Sequence, residues 1–272
     1  MKLSEIPISL YNSVKLHLTP VKKLKTSNKQ RLPVIVSLTS IPSRIKTLHI
    51  TIRSLLSQDI LPEKIILWLN DSYKNNIPNQ LKKLLDDTFE IRFSPYTFSH
   101  RKLIHTIENF PNSIIITCDD DLIYHPTSLK LLYKEHLKNP NVVIGNRCRR
   151  ITYDSNNNAL PYLQWPFATK TYKDEKLLMP VGAFLVLYPP RVFDERFNNI
   201  ELINKLAPKA DDLWFKAMSL LNNTLSIQVT KKPYFPIPII ATQKYSLKKI
   251  NTVRDYNRIQ WEQITNYFNL KF

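Results

Sequence analysis

The chain has 272 residues, 43% of them hydrophobic, and a formal net charge of +17. That is enough apolar content to fill one large α/β core, and the charge favours anionic partners (nucleotides, nucleic acid, anionic lipid headgroups or phosphorylated glycans) without choosing among them. Two cysteines cannot build a disulfide framework, which makes a reducing cytoplasm the expected setting, and two glycines, Gly145 and Gly182, exclude both a GxGxxG fingerprint and a Walker A loop.

Residues 1–30 form a basic, proline-interrupted lead-in. Glu5 and Pro7 fall where an export signal would carry a continuous apolar core, so no signal peptide is expected. LYNSVKLHL with VKKLK suits a short amphipathic helix with lysines on its polar face, which either packs on the domain as a solvated extension or adheres peripherally to an anionic membrane, the inner face of the cytoplasmic membrane included. No apolar run approaches the ~20 residues that cross a bilayer.

From Arg31 the pattern becomes regular. Strand 33–38 is followed by a turn at 39–43 and by helical spacing of Ile45, Leu48, Ile52, Leu55 and Leu56. Strand 64–69, a helix through Leu81, Leu84 and Leu85, strand 89–93, a helix through Leu103, Ile104 and Ile107, and strand 114–118 continue the alternation. A helix carrying Leu129, Leu132, Tyr133 and Leu137 precedes a short strand at 142–144. The second half is less regular, with strands expected at 182–188 and 225–229, a helix over 211–221 and a last helix through Val253, Tyr256, Ile264, Tyr267 and Phe268. This order predicts an α/β fold with a mostly parallel, doubly wound, Rossmann-like sheet whose ligands bind outside the carboxyl ends of the strands. The expected division is a basic extension over 1–30, a catalytic domain over 31–245 and a C-terminal helix over 246–272, packed on the domain or extending it.

The chemistry concentrates where the apolar strand from Ile114 runs into Asp119, Asp120 and Asp121. Three adjacent carboxylates repel one another and resist burial, so a shared cation is expected, and oxygen-only ligands favour Mg or Mn, which sit between carboxylates and a substrate's phosphates. Helix capping is the competing explanation, but a cap needs one carboxylate and not three. A second acidic pair, Asp211 and Asp212, opens the helix over 211–221.

The segments VIVSLTSIPSR, LPEKIILWLND, HRKLIHTIENFP, IIITCDDDLIYHP, PVGAFLVLYPP and KADDLWFKAM, in this order and spacing, resemble bacterial glycosyltransferases of the GT-A fold related to family 2. The resemblance spans roughly residues 33–221 and implies a smaller acceptor-side subregion beside the nucleotide-binding sheet. It implies that Asp119 approaches the ribose or the metal, that Asp121 binds a metal bridging the donor's diphosphate, and that Asp120 is positional or near the sugar. Thr39, Ser40 and Arg44 then face nucleotide base and phosphate, Asp71 reads the base, and Lys102 contacts the nucleotide. Asp212 is implied as the general base of an inverting transfer, with Asp211 orienting the acceptor. Arg147, Arg149, Arg150 and Trp165 lie in the region that contacts acceptor or diphosphate, where forked guanidinium groups suit phosphate and an indole face suits a sugar ring; surface charge and ordinary core packing explain these residues equally well. Gly182-Ala183-Phe184 departs from the glycine-rich turn of such enzymes, which leaves the sugar pocket differently shaped.

The function expected is therefore metal-dependent transfer from a nucleotide sugar, uridine diphosphate-linked, to a surface glycan or glycolipid such as lipopolysaccharide or capsule. A metal-dependent nuclease or phosphohydrolase also places carboxylates at strand ends beside basic residues. A nucleic-acid-binding protein would share the charge, but no reading module is visible and nucleic acid is not the expected partner.

Overall fold

A computed structural model describes residues 3–25, 29–169, 176–231, 233–240, 242 and 249–272. The boundary expected between 245 and 246 lies outside the described residues. The elements are α1 (Ile6–Leu18), α2 (Val21–Leu24), β1 (Arg31–Thr39), α3 (Leu48–Leu56), β2 (Leu61–Asn70), α4 (Asn79–Lys82), β3 (Phe89–Ser94), α5 (Arg101–Asn109), β4 (Ile114–Thr117) and β5 (Leu122–Ile123). They continue with α6 (Ser128–His136), β6 (Val143–Gly145), β7 (Cys148–Arg150), β8 (Leu178–Pro180), β9 (Val186–Tyr188), α7 (Ile200–Leu206), α8 (Asp211–Leu221), β10 (Ser226–Gln228), β11 (Ile237–Pro238) and α9 (Tyr256–Tyr267).

Seven strands form one mixed, mostly parallel, Rossmann-like sheet in the order β10-β6-β9-β4-β1-β2-β3. Only β9 runs antiparallel to its neighbours, β4 and β6. The strands read as near-continuous apolar runs because helices cover both faces. Within β1, Val34, Val36 and Leu38 pack with Leu48, Ile52 and Leu55 of α3 on one face. Ile35 points to the other face with Ile66 and Trp68, where Ser37 donates to the Lys102 carbonyl of α5 at 2.5 Å. The core on that second face joins Leu103 of α5, Trp214 and Met218 of α8, and Trp261 and Ile264 of α9.

Two expectations are corrected. The strand expected over 182–188 begins with a 3-10 turn at Gly182–Phe184, and β9 starts at Val186. The helix through Leu85 shrinks to α4, because the Asp86 carboxylate accepts the N–H groups of Thr88 and Phe89 and turns the chain into β3. The lead-in does form a helix, α1: Ser9 is fully buried and donates to the Pro238 carbonyl at 2.6 Å, Leu16 packs with Ile50, Ile123 and Ile239, and Lys15 is exposed. The groups waiting inside include backbone acceptors, which a serine satisfies and an aliphatic side chain cannot.

Candidate active site

Strand register builds the site. β1 and β4 are parallel neighbours with Ser37 level with Thr117, so Ser40 and Asp120, each three residues further on, emerge side by side at the carboxyl edge. Ser40 Oγ donates to Asp120 Oδ2 at 2.5 Å. Because β9 is antiparallel to β4, with Thr117 opposite Val186, the turn that precedes β9 arrives at this same edge. Leu185, which leads from that turn into β9, has φ of 74° and is fully buried. A non-glycine residue held there stores on the order of 1–3 kcal/mol of backbone strain.

The acidic triplet is neutralised from within the chain. Arg44 places one guanidinium nitrogen 2.6 Å from Asp120 and the other 3.0 Å from Asp121. Burial raises the Asp120 pKa above the usual carboxylate value although Arg44 and Ser40 oppose it. Burial works against the charge on Arg44 too, and Asp120 and Asp121 outweigh it and raise its pKa. Asp119 is the open member, with 37% of its side chain accessible, and it meets Lys102 Nζ at 3.2 Å. Its backbone N–H donates to the Tyr124 hydroxyl at 2.9 Å.

Lys102 also reaches Asp211 Oδ2 at 3.1 Å, and its side chain is only 6% accessible. One buried cation thus joins the two acidic motifs. Burial opposes its charge, but Asp211, Asp119 and Asp212 together raise its pKa well above that of a free lysine. Asp211 and Asp212 stand in the first turn of α8, where the helix dipole favours negative charge. Both are half-buried, and they diverge. Against the opposition of burial, Lys102, His100 and Ser99 hold Asp211 below the carboxylate range. Asp212, desolvated and beside the Asp211 charge, is pushed up to about 8. Its Oδ2 accepts the Gly182 N–H at 3.0 Å, and a Cβ at Gly182 would lie 2.7 Å from Oδ1. Glycine is needed here for the close approach of a carboxylate to backbone.

Thr39, Ser40, Arg44, Lys102, the triplet and the Asp211–Asp212 pair are therefore gathered at one edge, with several of their polar groups already engaged. Thr39 Oγ1 donates to the Trp68 carbonyl at 2.9 Å and accepts from Arg101 at 2.5 Å. Arg44, expected to face the nucleotide, is directed at Asp120 and Asp121. Asp71 stands at the end of β2, paired with Lys74 at 3.0 Å and not with this cluster. Arg147 and Arg149 both stack on the Phe167 ring, at 3.4 and 3.9 Å from its centroid, and no carboxylate pairs with either among the described residues. Arg147 also lies 5.0 Å from the Phe184 ring, in the turn that supports Asp212. Trp165 does not offer a face to a sugar: it is fully buried and its indole donates to the Leu160 carbonyl at 2.7 Å.

Three contributors escape a reading of the sequence. Arg101, 1% exposed, donates to the carbonyls of Ser40 (3.0 Å) and Tyr96 and fixes the turn after β1. Tyr124 braces Asp119. Buried His100, its pKa lowered to about 4 by desolvation, lines Asp211 with a ring that stays neutral at physiological pH. The first of these left a trace, since His100-Arg101-Lys102 at the start of α5 opposes the helix dipole and implies acidic neighbours.

The charge argument for a metal changes accordingly, because Arg44 and Lys102 already compensate the triplet. Among the described residues no three His, Cys, Asp or Glu side chains gather as a metal cage. Mg and Mn require less, one or two carboxylates plus phosphate oxygens. Open Asp119, with Asp121 two residues on, fits that hard-oxygen donor set.

The family model described as Glycosyl transferase family 2 matches residues 41–193, more than half of the chain. No curated protein matches the sequence. One similar solved structure is 4-diphosphocytidyl-2C-methyl-D-erythritol synthase from Anaerococcus prevotii DSM 20548, at 13% identity and a TM-score of 0.47, covering 89% of this chain and 99% of that one. Another is CMP:2-keto-3-deoxy-manno-octonic acid synthetase complexed with CTP, at 10% identity and a TM-score of 0.38, covering 75% of this chain and 91% of that one.

Proposed function

We propose, from the premise that this chain belongs to glycosyl transferase family 2, that it moves a sugar from a nucleoside diphosphate donor, uridine diphosphate-linked, to a hydroxyl of a surface glycan or glycolipid such as lipopolysaccharide or capsule, with inversion at the anomeric carbon. The observation that carries the reading is the Lys102 bridge, 3.1 Å to Asp211 and 3.2 Å to Asp119, while no cation pairs with the neighbouring Asp212 among the described residues.

Asp212, with a pKa of about 8, is a stronger base than an ordinary carboxylate and works near neutral pH. The acceptor oxygen forms a bond to the anomeric carbon as the bond to the donor's phosphate oxygen breaks. The departing electron pair stays on the diphosphate, and the hydroxyl proton passes to Asp212. The Gly182 N–H orients that carboxylate, and Asp211, held ionised by Lys102, fixes the acceptor. Asp120 anchors the turn after β1 through Ser40 and Arg44, so its role is positional. Arg147 and Arg149, stacked but not neutralised, receive phosphate groups of donor or acceptor. Asp119 and Asp121 would hold Mg or Mn, which when bound lowers the charge of the diphosphate.

Steady-state kinetics with donor titration tests the assignment. Asp212→Asn should lower turnover by about 10² to 10⁴ with donor affinity nearly unchanged, whereas Asp121→Asn should weaken donor binding and turnover together. Near-normal turnover of Asp212→Asn removes it as the base. Cleavage of a phosphodiester without consumption of any nucleotide sugar removes the whole reading.

A further inference from the structure

The helix α1 is mounted with its apolar side outward. Ile6, Leu10 and Val14 recur every four residues, with Tyr11 and Leu18 beside them on the same face, and they are 37, 55, 47, 66 and 72% exposed. Ser9 and Leu16 occupy the opposite face, against the domain, and Ser13 Oγ is buried there as well. A helix of 13 residues carries this stripe along about 20 Å. The docking is firm, since Arg53 of α3 donates to the carbonyls of Leu16 at 2.8 Å and Thr19 at 2.7 Å. An apolar surface of this extent on a fixed element marks an interaction site.

The charge around the stripe selects the occupant. Lys15, Lys22 and Lys23 are exposed along α1 and α2, and Glu5 is the one acidic residue between positions 3 and 25. At the carboxyl end of α1 opens a groove of ≈ 570 Å³ whose lining includes His17, Leu18, Arg53, Gln80 and Lys83 and, among the described residues, no acidic one. A basic rim around an outward apolar stripe is the pattern of a helix that lies in the plane of a membrane interface, with its apolar side among acyl chains and its lysines at anionic headgroups. The stripe also lies close to the catalytic edge: Ser9 bonds Pro238 of β11, and β11 pairs with β5, which follows Asp121 directly.

We infer that α1 and α2 form a docking surface for an anionic lipid bilayer, which brings the carboxyl edge of the sheet to the membrane surface. This surface stands independently of the transfer reaction proposed above.

Vesicle flotation tests it with the full chain and no substrate. The protein should float with vesicles of phosphatidylcholine mixed with phosphatidylglycerol, bind phosphatidylcholine alone far less, and be released by salt. Leu10→Glu/Val14→Glu should weaken binding by about tenfold or more, with an unchanged thermal melt because both side chains face solvent. Lys22→Glu/Lys23→Glu should weaken it by about thirtyfold or more through charge alone, and stands as a second variant if the first fails to fold. Wild-type protein that stays unbound, or that binds both vesicle types equally, overturns the proposal. So does a protein that is dimeric without lipid and becomes monomeric on Leu10→Glu/Val14→Glu, since the stripe would then be covered by a second copy.

Discussion

Replacing Lys102 by methionine tests the electrostatics of the site most directly. The side chain is 6% accessible, and its ammonium group is 3.2 Å from Asp119 and 3.1 Å from Asp211. Methionine fills most of the volume but leaves Asp119 and Asp211 without their cation, and Asp211 has only 16% of its side chain accessible to water. Removing one partner of a buried ion pair costs about 3–5 kcal/mol. At about 2–4 °C per kcal/mol for a domain of this size, the melting temperature should fall by about 6–20 °C at pH 7. The pH dependence identifies the cause. Asp211 has a depressed pKa in the folded protein, so its contribution to stability is present above the unfolded value near 3.8 and is lost as pH falls through the folded value. Without Lys102, burial pushes Asp211 upward, and the variant gains stability as pH falls from 7 towards about 4 while the wild type does not gain from this group. The deficit should therefore shrink over that interval, and Lys102→Met/Asp211→Asn should recover part of it at pH 7. Melts at pH 7 and pH 5 on the three proteins decide the matter. A loss below about 1 kcal/mol, or one independent of pH, refutes the claim that Lys102 compensates these acids.

Gly182→Ala places a methyl group 2.7 Å from Asp212 Oδ1; a carboxylate displaced by roughly 1 Å should lower turnover by about 10²-fold while donor affinity, measured by calorimetry, stays close to wild type. Because Asp212 titrates at about 8, kcat/KM should rise with pH to an inflection near that value, which Asp212→Asn should abolish; a flat profile from pH 6 to 9 counts against Asp212. Burial, His17 and Arg53 lower the His49 pKa although the Lys46 carbonyl opposes them. A depressed histidine gives stability that is present above the unfolded value near 6.5 and lost as pH falls below it. With His17 Nδ1 3.1 Å from His49 Nε2, the α1 amides should exchange faster at pH 5 than at pH 7.5 relative to those of β1, as hydrogen-exchange mass spectrometry would report.

The sequence by itself determined the alternation of the main strands and helices and the edge on which chemistry is placed. The alternation of apolar strands with helices of 3.6-residue period gives the doubly wound sheet, the helix over 211–221 appears with those bounds, and three carboxylates after an apolar strand mark the end of β4. These are local properties, written in periodicity and in neighbouring residues. Only the tertiary structure decided what lies opposite each of them. Arg44 meets Asp120 across 76 positions, Gly182 meets Asp212 across 30, and Lys102 joins Asp119 to Asp211, because strand order and the antiparallel strand β9 bring those ends together. The same cause turned Trp165 into core, left Asp71 beside Lys74 and set α1 with its apolar side outward. A hydrophobic period states that one face of an element is buried and the other is not, but it assumes that the apolar face goes inward. On α1 the surface beneath offers the Pro238 carbonyl to Ser9, and that acceptor, which no local pattern reveals, draws a serine inward.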